Sequence, residues 1–139
     1  KQNEKYKSNQ VLIQIETSQA WINFASGKQK EALDLMKTAA DREDKTEKHP
    51  VTPCEVLPAR ELYADMLLQT QQNETALQEY ELSLKKNPNR FNSLYGAGVA
   101  AERSHNKENA TAYFNQLPGL DNSDRPELVM VRSYLLKHR

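Results

Sequence analysis

The chain repeats itself after thirty-four residues, and no other feature restricts its fold as strongly. Ala76 is answered by Ala110, Tyr80 by Phe114 and Ala64 by Gly98, each pair joining two small or two aromatic residues. A match of size as well as spacing marks a repeat architecture, in which one supersecondary unit recurs and buries its apolar face against its neighbour. The echo runs from Leu57 to Pro118.

The apolar spacing between these anchors makes the unit helical. Val11, Ile13, Ile15, Ala20, Trp21, Phe24 and Ala25 precede Gly27 without an intervening Gly or Pro. The Val11 to Ile15 run alternates like a strand, but it continues unbroken into helical spacing and ends at a glycine suited to a helix C-terminus. The polar stretch Lys1 to Gln10 is expected to be frayed or barely helical. A second helix is predicted from Gln29 to Asp44, with Ala32, Leu33, Met36, Ala39 and Ala40 on one face. Pro50, Pro53 and Pro58 make Lys45 to Leu57 a connecting loop.

A third helix then runs from Pro58 to Thr70, with Leu62, Tyr63, Met66 and Leu67 on one side. Asn73 is the expected N-cap of a fourth, whose stripe is Ala76, Leu77, Tyr80 and Leu84 and whose stop is Asn87-Pro88. The plan recurs as Phe91 to Ser104, a turn at His105 and Asn106, and Lys107 to Leu117, ended by Pro118-Gly119. Asp124 with Glu127 reads as an acidic capping box opening a last helix that bears Leu128, Val131 and Leu135.

Composition narrows the function classes. The 139 residues are 37% hydrophobic and 27% charged, ordinary for a globular chain long enough to hold a core. Nineteen Lys and Arg balance nineteen Asp and Glu, so the overall field favours neither nucleic acid nor an anionic membrane as partner. The single cysteine, Cys54, excludes an internal disulfide. No apolar run approaches the roughly 18 residues of a membrane span. The chain begins at Lys1 without a signal-type segment, and the expectation is a piece of a longer protein.

The register resembles the tetratricopeptide repeat, a 34-residue helix-turn-helix module. That family places a small residue at its eighth position, Ala at the twentieth, an aromatic at the twenty-fourth, a small residue at the twenty-seventh and Pro at the thirty-second. Ala64, Ala76, Tyr80, Ser83 and Pro88 match within 57–90. Gly98, Ala110 and Phe114 match within 91–118, where Leu117 departs from the small position. A weaker repeat over about 11–44 takes Ala32 as its Ala, Gly27 at the turn, Ala20 and Ala39 at the small positions, and Met36 for the aromatic. The ten extra residues between Ala32 and Ala76 are accounted for by the loop over 45–57. The resemblance implies an all-α fold: a single domain over 1–139, built as a right-handed α-α superhelix of about three hairpins, with a capping helix over 124–138. Small residues would sit at the helix crossings, with Tyr80 or Phe114 filling the gap toward the next hairpin.

Parts of the chain, including Glu47 to Pro53, Pro58 to Leu62 and Pro88 to Ala97, are also similar to the C-terminal region of large bacterial tetratricopeptide proteins of undefined function. Gly is expected there where Cys54 stands. Secretory signals are common in that group, so the resemblance carries an expectation of an extracytoplasmic, periplasmic location, with the cytoplasm left open. What it implies about function is non-enzymatic binding of a peptide segment or partner protein in the concave groove. By register the groove is lined by Glu61, Asp65, Leu68 and Gln69 in one hairpin and by Asn92, Tyr95, Val99, Glu102 and Arg103 in the next. The acidic Glu61 and Asp65 would favour a basic or polar extended segment, and the opposing reading is that these residues merely solvate the surface. Some members hold a terminal carboxylate with Lys, Asn and Arg, but the corresponding positions here carry Thr17, Trp21, Leu62, Asn92 and Gly96, so that clamp is lacking. The alternative function is structural: the end of a larger solenoid, mediating intramolecular packing or self-association. An exposed apolar face around Val11, Ile13 and Ile15 would favour it.

Catalytic chemistry finds no foothold in the sequence. His49, Cys54, His105 and His138 lack the paired spacing of zinc ligands, so no metal or other cofactor is expected. Cys54 has no neighbouring base or thiolate-stabilising group. No phosphate loop, serine elbow or metalloprotease motif is present. The sequons at Asn73 and Asn109 lie at helix starts and are better explained as capping. Trp21 falls on the inner face by register, although a tryptophan at helical spacing is more often core.

Overall fold

The computed structural model describes residues 2–46, 57–121 and 123–138. Within them the backbone forms seven α-helices and no strand: α1 (Gln2–Ala25), α2 (Gln29–Lys45), α3 (Ala59–Gln69), α4 (Asn73–Lys86), α5 (Phe91–Arg103), α6 (Lys107–Phe114) and α7 (Pro126–Lys137), with one 3-10 turn at Leu117–Gly119. The chain divides into two compact units, Lys1–Thr70 and Gln71–Arg139. The proline-containing loop with His49 and Cys54 falls on 47–56, outside the described residues.

In the first unit α1 and α2 form a hairpin, and α3 packs on α2 and touches α1. Gly27 makes the first turn possible. Its φ of 79° lies in the left-handed region, and Lys28 N–H and Gly27 N–H donate to the Asn23 and Phe24 carbonyls at 2.9 and 3.0 Å, the two bonds of a Schellman end. The same turn ends α5, where Asn106 and His105 donate to Ala101 and Glu102. His105 and Gln71 have φ of 59° and 62° and stand thirty-four residues apart, so the period is written in the backbone as well as in the side chains.

In the second unit α4 packs on α5, α5 on α6 and α6 on α7. Glycine decides how close these helices come. A β-carbon on Gly96 would collide with the Tyr80 ring of α4, and one on Gly98 with the Phe114 ring of α6. Two bare stretches of α5 backbone thus each accept an aromatic face from a neighbouring helix. Phe114 also meets Tyr134 of α7 edge-on, with centroids 4.9 Å apart. Ala64, Ala76 and Ala110 are fully buried.

Several expected boundaries shift, each for a local reason. The first helix begins at Gln2, nine residues before Val11, because nothing in Gln2 to Gln10 breaks a helix. Asn73 is the first residue of α4 and not its cap: Gln72 holds the cap position, its side chain makes no capping bond, and the Asn73 Oδ1 is buried without a hydrogen-bond partner. Thirty-four residues on, Asn106 occupies that cap position, and its side chain accepts from Asn109 N–H at 3.1 Å. Helix α6 stops at Phe114, short of Leu117, because Pro118 has no N–H to give the Phe114 carbonyl. Leu117 turns inward and is fully buried. Asp124 caps nothing: Arg125 is the N-cap of α7 and Pro126 its first residue, while the Asp124 carboxylate is 99% exposed, 3.7 Å from Arg132.

Candidate interaction surfaces

The residues expected to line a groove have unequal fates. On α3, Glu61 is only 1% exposed, which corrects its placement on an open acidic face. Asp65 and Leu68 are half-buried and Gln69 is exposed. Glu61 lies in the first turn of α3, where the helix dipole favours a carboxylate, and α3 is buried around most of its circumference, at Ala59, Arg60, Tyr63, Ala64, Met66 and Leu67. On α5, in the second unit, Asn92, Glu102 and Arg103 are exposed and Tyr95 is half-buried. Val99 is withdrawn into the core at 8% exposure, a second correction, since residue 99 follows directly on the Gly96 to Gly98 contact strip. Burial, and after it the Glu127 carboxylate, hold the Tyr95 phenol above its ordinary pKa. Its ring lies 6.4 Å from that of Phe114, and beside it the Arg125 guanidinium stands 4.1 Å over the Phe91 ring.

A different surface stands out on α1. Val11, Ile15 and Ile22 recur at intervals of four and seven residues and share one side of the helix, where they are 55%, 59% and 57% exposed, with Leu12 beside them. Ile13 and Ala20 share the opposite side and are buried. Helix α1 therefore carries apolar side chains on two faces, only one of which is covered. Trp21 is half-buried between them, its ring edge-on to Phe24 at 5.7 Å.

Sequence patterning did not reveal the polar clasp joining α2 to α3. Glu43 Oε1 accepts from the Ala59 N–H at 2.9 Å, supplying the first turn of α3 with an acceptor that Pro58 cannot provide. Arg60, 7% exposed, donates through Nη2 to Asp41 at 2.7 Å and to Asp44 at 2.6 Å. The Lys37 ammonium bonds Asp41 at 2.7 Å and, together with Arg60, holds that carboxyl below its ordinary pKa. Arg42 forks onto both Glu16 oxygens of α1 at 2.8 and 3.0 Å. The clasp fixes where the chain leaves α2 and re-enters α3. Its charges are engaged with one another in a structural pairing.

Among the described residues no group of three His, Cys, Asp or Glu could hold a metal ion, and no helix is long and apolar enough to cross a membrane. His138 stacks on Tyr134 at 4.2 Å and places Nδ1 2.9 Å from the Tyr134 carbonyl, a local helix-end contact. Comparison with protein-family models, curated proteins and solved structures gives no match.

Proposed function

We propose that the chain is a non-enzymatic interaction module: a right-handed α-α superhelix of about three tetratricopeptide-like hairpins, capped by α7, which works by packing against a further polypeptide segment or a second copy, the structural alternative that an exposed α1 face favours. The observation that carries this reading is the open apolar face of α1. Isolated surface leucines and isoleucines are ordinary, but a stripe of Val11, Ile15 and Ile22 along one side of a helix is the pattern of an interface. The register supports it, since the left-handed turn residues Gly27, Gln71 and His105 and the buried Ala64, Ala76, Gly98 and Ala110 hold the places the repeat assigns them.

A second reading places a peptide along the outward face of α5. Exposed Asn92, Glu102 and Arg103 with the half-buried Tyr95 among them favour it, because an aromatic flanked by polar side chains suits an extended polypeptide. Cross-linked capture from the source cells separates the two. Loss of a partner in Ile15→Glu/Ile22→Glu supports the α1 surface, and loss only in Asn92→Ala/Glu102→Lys transfers the function to α5. A partner retained by both double variants overturns both readings.

A further inference from the structure

Three helices of this chain stand at the same place in the register, which lets one be read against the others. Ser93 of α5 is equivalent to Ala59 of α3 and, across the ten-residue excess, to Ile15 of α1; Ala100, Met66 and Ile22 are equivalent in the same way. In α5 and α3 these positions are closed: Ser93, Ala100, Ala59 and Met66 are each 0% exposed. The helix that packs on this side is in each case the preceding one. α4 lies on α5, with Ser83 Oγ 3.1 Å from Ser93 Oγ and the Tyr80 ring on Gly96. α2 lies on α3, with Glu43 bonded to the Ala59 N–H. In α1 the equivalent positions are open, Ile15 at 59% and Ile22 at 57%, and exposed Ser18 lies between them where α5 has Gly96.

We infer that this face of α1 seats an amphipathic α-helix laid along it as α4 is laid along α5, and that the seated helix carries a small residue, a large residue and another small residue at spacings of four and three. This rests on the α1 reading above and adds the chemistry of the occupant. Size complementarity dictates the pattern. Ser18 leaves a gap that a bulky side chain fills, and Ile15 and Ile22 on either side of it require small partners. The second helices of this chain have that form: Ala32, Met36 and Ala39 in α2, and Ala76, Tyr80 and Ser83 in α4, all buried.

The probe is a fluorescent peptide of residues 73–86, stapled between positions 78 and 82, which are exposed in α4, because an unsupported 14-residue helix is marginal in water. It is titrated into the full chain by anisotropy. The expected result is saturable binding weakened at least tenfold by Ile15→Glu/Ile22→Glu in the chain and by Tyr80→Ala in the peptide, with the chain's melting unchanged because both isoleucines are exposed. Absence of saturable binding overturns the inference, as does binding that survives either change. If the peptide fails but the chain self-associates in sedimentation and Ile15→Glu/Ile22→Glu makes it monomeric, the occupant is a second copy: the helix inference falls and the interaction surface stands. Isoleucine-dependent binding to anionic lipid vesicles without peptide binding overturns both.

Discussion

The Tyr80 ring lies against the backbone of Gly96 so closely that a β-carbon there would overlap its Cζ and stand 2.6 Å from its hydroxyl oxygen. Tyr80 is 1% exposed, so the ring has little room to yield. Gly96→Ala should destabilise the second unit by about 1 to 3 kcal/mol through overpacking, more than the roughly 0.5–1 kcal/mol that removing a mid-helix glycine returns. Denaturant unfolding reads the difference. Shortening the ring in the double variant Gly96→Ala/Tyr80→Leu should recover part of the loss, giving a non-additive cycle; additivity would contradict the packing.

The turns of the three hairpins hold different devices. Asn106 caps α6 through its side chain, whereas Gln72 at the equivalent place makes no capping bond. Gln72→Asn should raise stability by about 0.5–2 kcal/mol, the usual worth of an N-cap. At the preceding residue, His105 holds φ 59° where Gly27 holds φ 79° in the first hairpin. A left-handed non-glycine costs roughly 1–2 kcal/mol, so His105→Gly should stabilise by up to about 1 kcal/mol after glycine's greater unfolded-state entropy is subtracted. A lower denaturation midpoint in both variants would show that these turns are not equivalent.

What could be read from the sequence follows from what a period encodes. Small residues at Ala64, Ala76, Gly98 and Ala110 were legible because close packing demands small volume at fixed spacing, and all four are buried. The turn at Gly27 was legible from backbone freedom; of the apolar face around Val11, Ile13 and Ile15, Val11 and Ile15 are exposed but Ile13 is buried, because residues two apart fall on opposite sides of a helix. Glu61 was not legible, because a helical wheel assigns a solvent face only when the covered arc is known, and α3 is covered almost all round. Gly96, which the register puts at an inner-face clamp position, is buried against Tyr80; its packing role was not legible because the repeat pattern asks for one small residue in that helix and Gly98 already supplies it. The Glu43 to Ala59 bond joins residues 16 apart through the reach of one side chain, which leaves no periodic trace.

The clasp between α2 and α3 should make the first unit acid-sensitive. The Asp41 carboxyl is held below its ordinary pKa, first by its hydrogen bond from Lys37 and also by Arg60. A carboxyl depressed on folding contributes stability that is present above the ordinary carboxylate range and lost as pH falls through the folded value. Stability should therefore decline below about pH 4, and Asp41→Asn should flatten that decline in denaturation curves measured from pH 6 to pH 2. At neutral pH Arg60→Ala should destabilise by about 1–3 kcal/mol, since Asp41 and Asp44 lose a shared donor, and Arg60→Lys should restore only part, lacking the guanidinium fork.

The second unit should respond to alkali through Tyr113. Its hydroxyl donates to Glu81 Oε1 at 2.7 Å, tying α6 to α4. Burial, followed by that bond and the carboxylate's charge, holds the phenol well above its ordinary value of 10.0. The sign is opposite to that of Asp41. A phenol raised on folding contributes stability that is fully present below pH 10 and lost as pH climbs toward the folded value, because the unfolded chain ionises first. An absorbance titration of the phenols should show late-ionising tyrosines, Tyr95 among them, and the step that belongs to Tyr113 should vanish in Tyr113→Phe. That variant should lose about 1 kcal/mol near neutral pH and show a shallower alkaline fall. Glu81→Gln should move the late step down toward the ordinary range without abolishing it, because burial, the largest cause, remains. A Tyr113 that titrates with the bulk in the wild-type chain would dissolve the link between α4 and α6.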